Sequence, residues 1–155
     1  MTGYRFGARS LARLSTCHPD LQRVMRHAIE TAPMDFTILC GHRNQADQDK
    51  AVAEGLSKTP WPTGKHNSLP SHAVDIAPLT ADGKIDWTYE SAFARLARHV
   101  LACAGELGVP LRWGGDWNRN GRTRAEGDKA ETFVDLPHFE LHGAGYVQQI
   151  AARGD

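Results

Sequence analysis

From Pro19 to Ala32 the apolar residues Leu21, Val24, Met25, Ala28 and Ile29 recur at the spacing of a helix that buries one side. Pro19 suits the first helical position, where its missing N–H costs nothing. "DFTILC" (Asp35–Cys40) alternates and is rich in β-branched and aromatic side chains, which predicts a strand. Asn44 can cap a helix over about Gln45–Glu54, with Gly55 to end it. A longer periodic run from Glu90 to Leu107 puts Phe93, Leu96, Ala97, Val100, Leu101 and Ala104 on one side and stops at Gly108. "AVDIA" (Ala73–Ala77), "LRWG" (Leu111–Gly114) and "HFEL" (His138–Leu141) read as short strands, and the tail Gly143–Arg153 as a last helix. Helices early and mid-chain, with short strands scattered between them, predict an α+β fold around a small antiparallel sheet.

Composition narrows the partners. A chain of 155 residues is long enough for one domain with a buried core. Its 18 Lys plus Arg balance 18 Asp plus Glu, so no global pull toward nucleic acid or anionic lipid is expected. No apolar run has signal-peptide or membrane-spanning length, so the expectation is a product made in the cytoplasm, without a signal peptide and without membrane insertion. The three cysteines, Cys17, Cys40 and Cys103, form no Cys-x-x-Cys pair. They read as ordinary thiols, giving neither a disulfide framework nor a cysteine zinc site.

Two segments carry candidate chemistry. "GKHNSLPSHAVDIAP" (Gly64–Pro78) puts His66, His72 and Asp75 on a turn-rich stretch leading into a strand. "FVDLPHFELH" (Phe133–His142) has Asp135 three residues before His138, with Pro137 between them. A hydrolytic zinc site needs about three His, Asp or Glu ligands, an open position and a nearby base. If His138 binds metal, an acid three residues earlier on the same bend can serve as base without being a ligand. There is no His-Glu-x-x-His, Gly-x-Ser-x-Gly or Ser-x-x-Lys, and no glycine-rich phosphate loop, so a serine or cysteine nucleophile has no support. His18, His27, His42 and His99 stand beside no carboxylate in a turn-to-strand setting and read as ordinary histidines. Spacing alone leaves open whether His66, Asp75 and His138 form a site or are unrelated.

These segments, with "RWGGDWNRNG" and "HPDLQRVMRHAIETAPMDFTILCGHRNQADQDKAVAEGLSK", resemble the zinc peptidases of the D-alanyl-D-alanine carboxypeptidase family. The branch they most resemble is the L-alanyl-D-glutamate endopeptidases that bacteriophages use as endolysins. The resemblance spans nearly the whole chain and implies a single catalytic domain of the LAS metallopeptidase type over residues 1–155, with no separate wall-binding domain. It implies one Zn2+ per chain held by His66, Asp75 and His138, with Asp135 as catalytic acid/base. Arg43 matches the family arginine that faces substrate or the developing oxyanion; a structural salt bridge is its alternative. The expected substrate is bacterial peptidoglycan, the expected state a monomer, and release to the wall from the host cytoplasm would depend on a holin-like membrane lesion.

The usual family pattern has seven residues from His to Asp, whereas His66 and Asp75 stand nine apart, Lys65 precedes His66 and Ser71 stands where Gly is usual. The ligand is read as His66, because on a strand His72 and Asp75 would point to opposite faces. His142, four after His138, would be too far along a strand to join it. "DWNRNG" (Asp116–Gly121) opens like a calcium loop, but Gly127 stands where Glu is needed and Arg119, Arg122 and Arg124 oppose a cation, so calcium is not favoured. Trp113 and Trp117 are candidates for the cleft wall or the core. The rival readings are a D-alanyl-D-alanine carboxypeptidase, in which Lys65 or an arginine would hold the terminal carboxylate, a non-catalytic zinc-stabilised phage module, and a metal-free binding domain.

Overall fold

A computed structural model describes residues 3–117, 119, 134–143, 145 and 146. In chain order the elements are α1 (Ala8–Leu14), α2 (Pro19–Thr31), β1 (Phe36–Cys40), α3 (Gln45–Ala53), a 3-10 turn (Lys65–Asn67), β2 (Ala73–Pro78), α4 (Glu90–Glu106), β3 (Leu111–Trp113) and β4 (His138–Leu141). The four strands form one antiparallel sheet in the order β1-β2-β4-β3. The fold is α+β. The predicted helix at the C-terminal tail lies outside the described residues, and among those described no helix is long and apolar enough to cross a membrane.

Strand alternation gives the sheet two unlike faces. Ile38, Val74, Ile76, Trp113, Phe139 and Leu141 join one apolar core with Leu21, Val24 and Met25 of α2 and Leu96, Ala97 and Val100 of α4. Asp75, Arg112, His138 and Glu140 alternate with these residues and line a cleft on the other face. Caps behave as their chemistry demands. The Asn44 side chain accepts from the Asp47 N–H, and Gly108, at φ +71, takes the left-handed turn after α4 that other residues rarely adopt.

Helix α1 was not anticipated from the sequence. It is only 7 residues long, begins at an uncapped glycine and buries little beyond Ser10 and Leu14, so no apolar stripe announces it. Its stability comes from docking on β1. The Ile38 N–H donates to Ser10 Oγ at 3.0 Å, and Arg13 donates to the Ile38 carbonyl at 3.0 Å. Side chains of α1 thus satisfy the strand's outer edge, where a further strand would otherwise pair.

Candidate metal centre and active-site cleft

Sheet register brings the two halves of the site together. Asp75 on β2 lies directly opposite His138 on β4, although 63 positions separate them in sequence. The third residue comes from the 3-10 turn, which is tied back to the end of β1 because Arg43 N–H donates to the His66 carbonyl at 2.8 Å. Beneath it, buried Asn67 donates to the Arg43 carbonyl and to buried Gln48, and Gln48 donates to the Thr59 carbonyl. A loop anchored through buried polar bonds holds its geometry, because losing one partner strands the other without water.

His66 Nε2 lies 3.0 Å from Asp75 Oδ1 and 3.2 Å from His138 Nδ1, and His138 Nδ1 lies 3.2 Å from the same oxygen. The far nitrogens fix what these atoms can do. His66 Nδ1 faces the Gly41 carbonyl at 2.7 Å, and His138 Nε2 faces Glu140 Oε1 at 2.8 Å. A carbonyl and a carboxylate only accept, so both far nitrogens donate and both near nitrogens turn lone pairs inward. Two lone pairs and a carboxylate oxygen meet at one point, where only a positive charge can reconcile them: a shared proton or a metal ion. A tetrahedral ion with bonds of about 2.0–2.2 Å would space its ligand atoms about 3.3–3.5 Å apart. The triangle differs from that by a few tenths of an ångström, so the donor set fits a zinc-sized ion.

Electrostatics tell the same story. Burial works against an imidazolium at His66, but the charge of Asp75 and its hydrogen bond push the pKa up to about 10. Burial likewise opposes a charged His138, yet its bonds to Asp75 and Glu140 raise it. Asp75 resists burial and is held well below the usual carboxylate range by the charge of His66 and the hydrogen bonds of both histidines. A cation arriving here meets an ionised carboxylate and displaces protons from the rings.

Asp135 stands just outside the triangle, with Oδ2 4.0 Å from His138 Nδ1. The bend is clamped, since His138 N–H donates to the Asp135 carbonyl and Asp135 N–H to the Gly114 carbonyl. A Cβ at position 114 would collide with the Asp135 carbonyl oxygen, so the glycine lets this segment approach the end of β3. Burial first, then the Asp75 charge, pushes the Asp135 pKa up to about 6, against the pull of His138, His66 and Arg43. Arg43 donates to Gln48 Oε1 at 3.1 Å and approaches Asp75 Oδ2 at 3.4 Å, so it braces the outer oxygen of Asp75 while lining the cleft. The cleft encloses about 930 Å3.

The family model of the phage L-alanyl-D-glutamate peptidases matches residues 2–142. The chain is 39% identical over 138 residues to the L-alanyl-D-glutamate peptidase of Escherichia phage T5, covering 89% of this chain and 98% of that protein. The chain belongs to the phage L-alanyl-D-glutamate peptidase family. The crystal structure of the Serratia marcescens L-Ala D-Glu endopeptidase ChiX superposes with a TM-score of 0.69 at 33% identity, covering 89% of this chain and 90% of that one.

Within this peptidase, the structure sorts the remaining candidates. His72 is buried apart from the triangle, its ring 5.3 Å from that of His18 and 5.9 Å from that of Tyr146. His142 stands beside Arg119 at 3.2 Å. Trp113 belongs to the core, donating to the Leu136 carbonyl and stacking on Phe139, whereas Trp117 lines the cleft with its ring 5.5 Å from that of His138. Most of the calcium-like loop after Trp117 lies outside the described residues.

Two features escaped the sequence. Cys40 is no ordinary thiol: it faces Asp75 across β1–β2, and ligand atoms of Cys40, His66 and Asp75 lie within 4.8 Å of one another. The register shifts between Ile38 and Cys40, and such a bulge turns a side chain that would otherwise follow Ile38 into the core toward the cleft face. Nothing in the local sequence announces that bulge. Glu140 also joins the centre. It receives His138 Nε2 on one oxygen and Arg112 at 2.7 Å on the other, and these two bonds overcome burial and bring its pKa down to about 2. Its parity with His138 on β4 was the available signal.

Proposed function

We propose that the chain is a phage-type endolysin, a zinc-dependent endopeptidase that hydrolyses the L-alanyl-D-glutamate bond of the peptidoglycan stem peptide. The observation that carries this is the inward convergence of His66 Nε2, His138 Nδ1 and Asp75 Oδ1 beside the raised carboxyl of Asp135. Names of relatives supply the bond: the phage T5 and Serratia proteins are called L-alanyl-D-glutamate peptidase and L-Ala D-Glu endopeptidase. His66, Asp75 and His138 would hold one zinc per chain. Bound there, zinc supplies Lewis acidity and makes a water acidic near neutral pH.

The chain's own groups do the rest. Asp135 accepts a proton from the attacking water and later delivers it to the leaving amine, since its bend sets the carboxylate beside the triangle without joining it. Glu140 and the Gly41 carbonyl hold a proton on the far nitrogen of each histidine, so that the nitrogen facing the triangle is the one that would serve as donor. Arg43 stands at the cleft wall as a donor to the oxyanion while its other N–H groups fix Asp75. We further read the protein as a monomer with a single catalytic domain, reaching the wall after a holin-like lesion opens the membrane.

The test is to incubate purified protein with cell walls and sequence the new termini. New C-terminal L-alanine and N-terminal D-glutamate are expected. Release of free D-alanine alone would replace the endopeptidase with a carboxypeptidase, and no new termini from zinc-loaded protein would remove the enzymatic reading.

A further inference from the structure

The cations around the cleft are not equally committed. Arg43 is bound to Gln48 and Asp75, Arg112 to Glu140, and Lys50 lies 4.0 Å from Glu54. Lys65 is different. Half-buried and lining the cleft, it directly precedes His66 and has no carboxylate partner among the described residues. Two further basic groups stand near the β3–β4 end of the sheet. Arg112 Cζ sits 5.3 Å from the centre of the Trp117 ring, and Arg119 lies 3.2 Å from His142 Nε2. His142 registers their combined field: burial first, then Arg119, Arg112 and Lys65 lower its pKa, with Glu140 opposing. Lys65 and Arg112 thus line the cleft that also holds His66 and His138, with Arg119 acting on the same neighbour, His142.

The bond proposed above brings a matching charge. A glutamyl residue has two carboxyl groups, and the stem peptide continues through the side-chain one. The other stays free on the carbon that bears the scissile nitrogen. That carboxylate must enter the cleft beside the triangle, where Asp75, Asp135 and Glu140 would repel it unless an uncommitted cation receives it.

We propose that Lys65, backed by Arg112 and Arg119, binds the free α-carboxylate of the D-glutamyl residue on the leaving side and so makes the enzyme selective for an acidic residue there. This rests on the endopeptidase reading and adds a specificity determinant to it. Lys65 is the contact because among the described residues no carboxylate pairs with its ammonium, whereas Arg112 is bound to Glu140.

The experiment compares two soluble stem peptides that differ only at that group, one with D-glutamate and one with D-isoglutamine, using zinc-loaded protein. The wild type should favour the acid by about tenfold in kcat/KM, the scale of one charge-assisted contact, and added salt should shrink the preference. Lys65→Gln should lose about tenfold on the acid, chiefly through KM, and much less on the amide, while keeping its zinc and melting temperature. Lys65→Arg should restore most of the preference. Equal cleavage of the two peptides by wild type, or an undiminished preference in Lys65→Gln, overturns the inference and leaves the endopeptidase standing. Cleavage of neither peptide overturns the endopeptidase reading, and this inference with it.

Discussion

His66 and His72 lie in the same short stretch and are equally hidden, 4% and 3% exposed, yet they have opposite surroundings. His66 meets a carboxylate and a second histidine, and its pKa is driven up. His72 meets His18, Tyr146 and the field of Lys65, and its pKa is held down, burial leading and repulsion from His18 and Lys65 following. The segment crosses from one environment to the other as it enters β2, whose alternation then sends Asp75 to the cleft face and Val74 and Ile76 into the core. Burial alone therefore says nothing about a histidine's task. What its ring nitrogens face decides it.

The largest expected effect lies on the cleft face. Asp135→Asn keeps the shape and the hydrogen-bonding capacity but removes the proton acceptor. Turnover on cell walls should fall at least about a hundredfold, the lower end of what general acid–base groups supply, with zinc content and melting temperature preserved. Asp75→Asn should instead lose zinc, because it removes the one charged donor of the triangle. Near-full activity in Asp135→Asn, or loss of its zinc, would reassign the base; Glu140 is a poor substitute because both of its oxygens are already bound.

Next comes the pair of histidines themselves. His66→Ala should abolish stoichiometric zinc in metal analysis, whereas His72→Ala should keep it. The cost to His72→Ala should be in stability, of the order of 1–3 kcal/mol for emptying a buried site, read as a lower melting temperature. A zinc-free His72→Ala beside a zinc-replete His66→Ala would invert the assignment.

These outcomes bear on how much of the molecule was legible beforehand. The helices at Pro19 and Glu90 were legible because each buries one apolar stripe, while Asn44 marks the start of α3 and Gly108 the end of α4 by local chemistry. The strands were legible for the same reason. The pairing of Asp75 with His138 was foreseeable as an expectation because both segments carry ligand types beside a strand. What stayed hidden depended on register and docking. Cys40 comes beside His66 and Asp75 through a bulge, and α1 exists because it satisfies an edge supplied by β1. Neither feature has a local signature, since both are properties of which residue ends up opposite which.

Glu140 tests that idea at smaller amplitude. It shares the face of His138 because they are two apart on β4, and it touches no metal position. Its work is to hold His138 Nε2–H, which orients the ring and makes the inward nitrogen a better donor. Glu140→Gln should weaken zinc by about 10–100-fold in chelator competition while the metal-free protein stays folded. Unchanged zinc affinity would mean that the strand alone orients His138.

The smallest effect concerns the other pocket. His72 has a folded-state pKa below its ordinary value, so between the two the unfolded chain binds more protons and stability rises with pH. The contribution is whole above about pH 6.5, the unfolded value, and drains away as pH falls below it. The groups facing this ring among the described residues are His18 at the start of α2, Tyr146 after β4, and Lys65 on the turn; Asp20 accepts from the Tyr146 hydroxyl beyond them. None of the ring's neighbours compensates an imidazolium. His66 in the metal-free chain works in the opposite sense, since a raised pKa stabilises at low pH, so the two must be separated by difference. Melting temperatures of metal-free wild type and His72→Gln, compared from pH 7.5 down to 5.5, isolate His72 because the His66 contribution is common to both. Wild type should lose more stability than the variant over that range. Parallel curves would mean that the His72 ring is protonated as easily in the fold as in water, and the contrast between the two histidines would then rest on their partners alone.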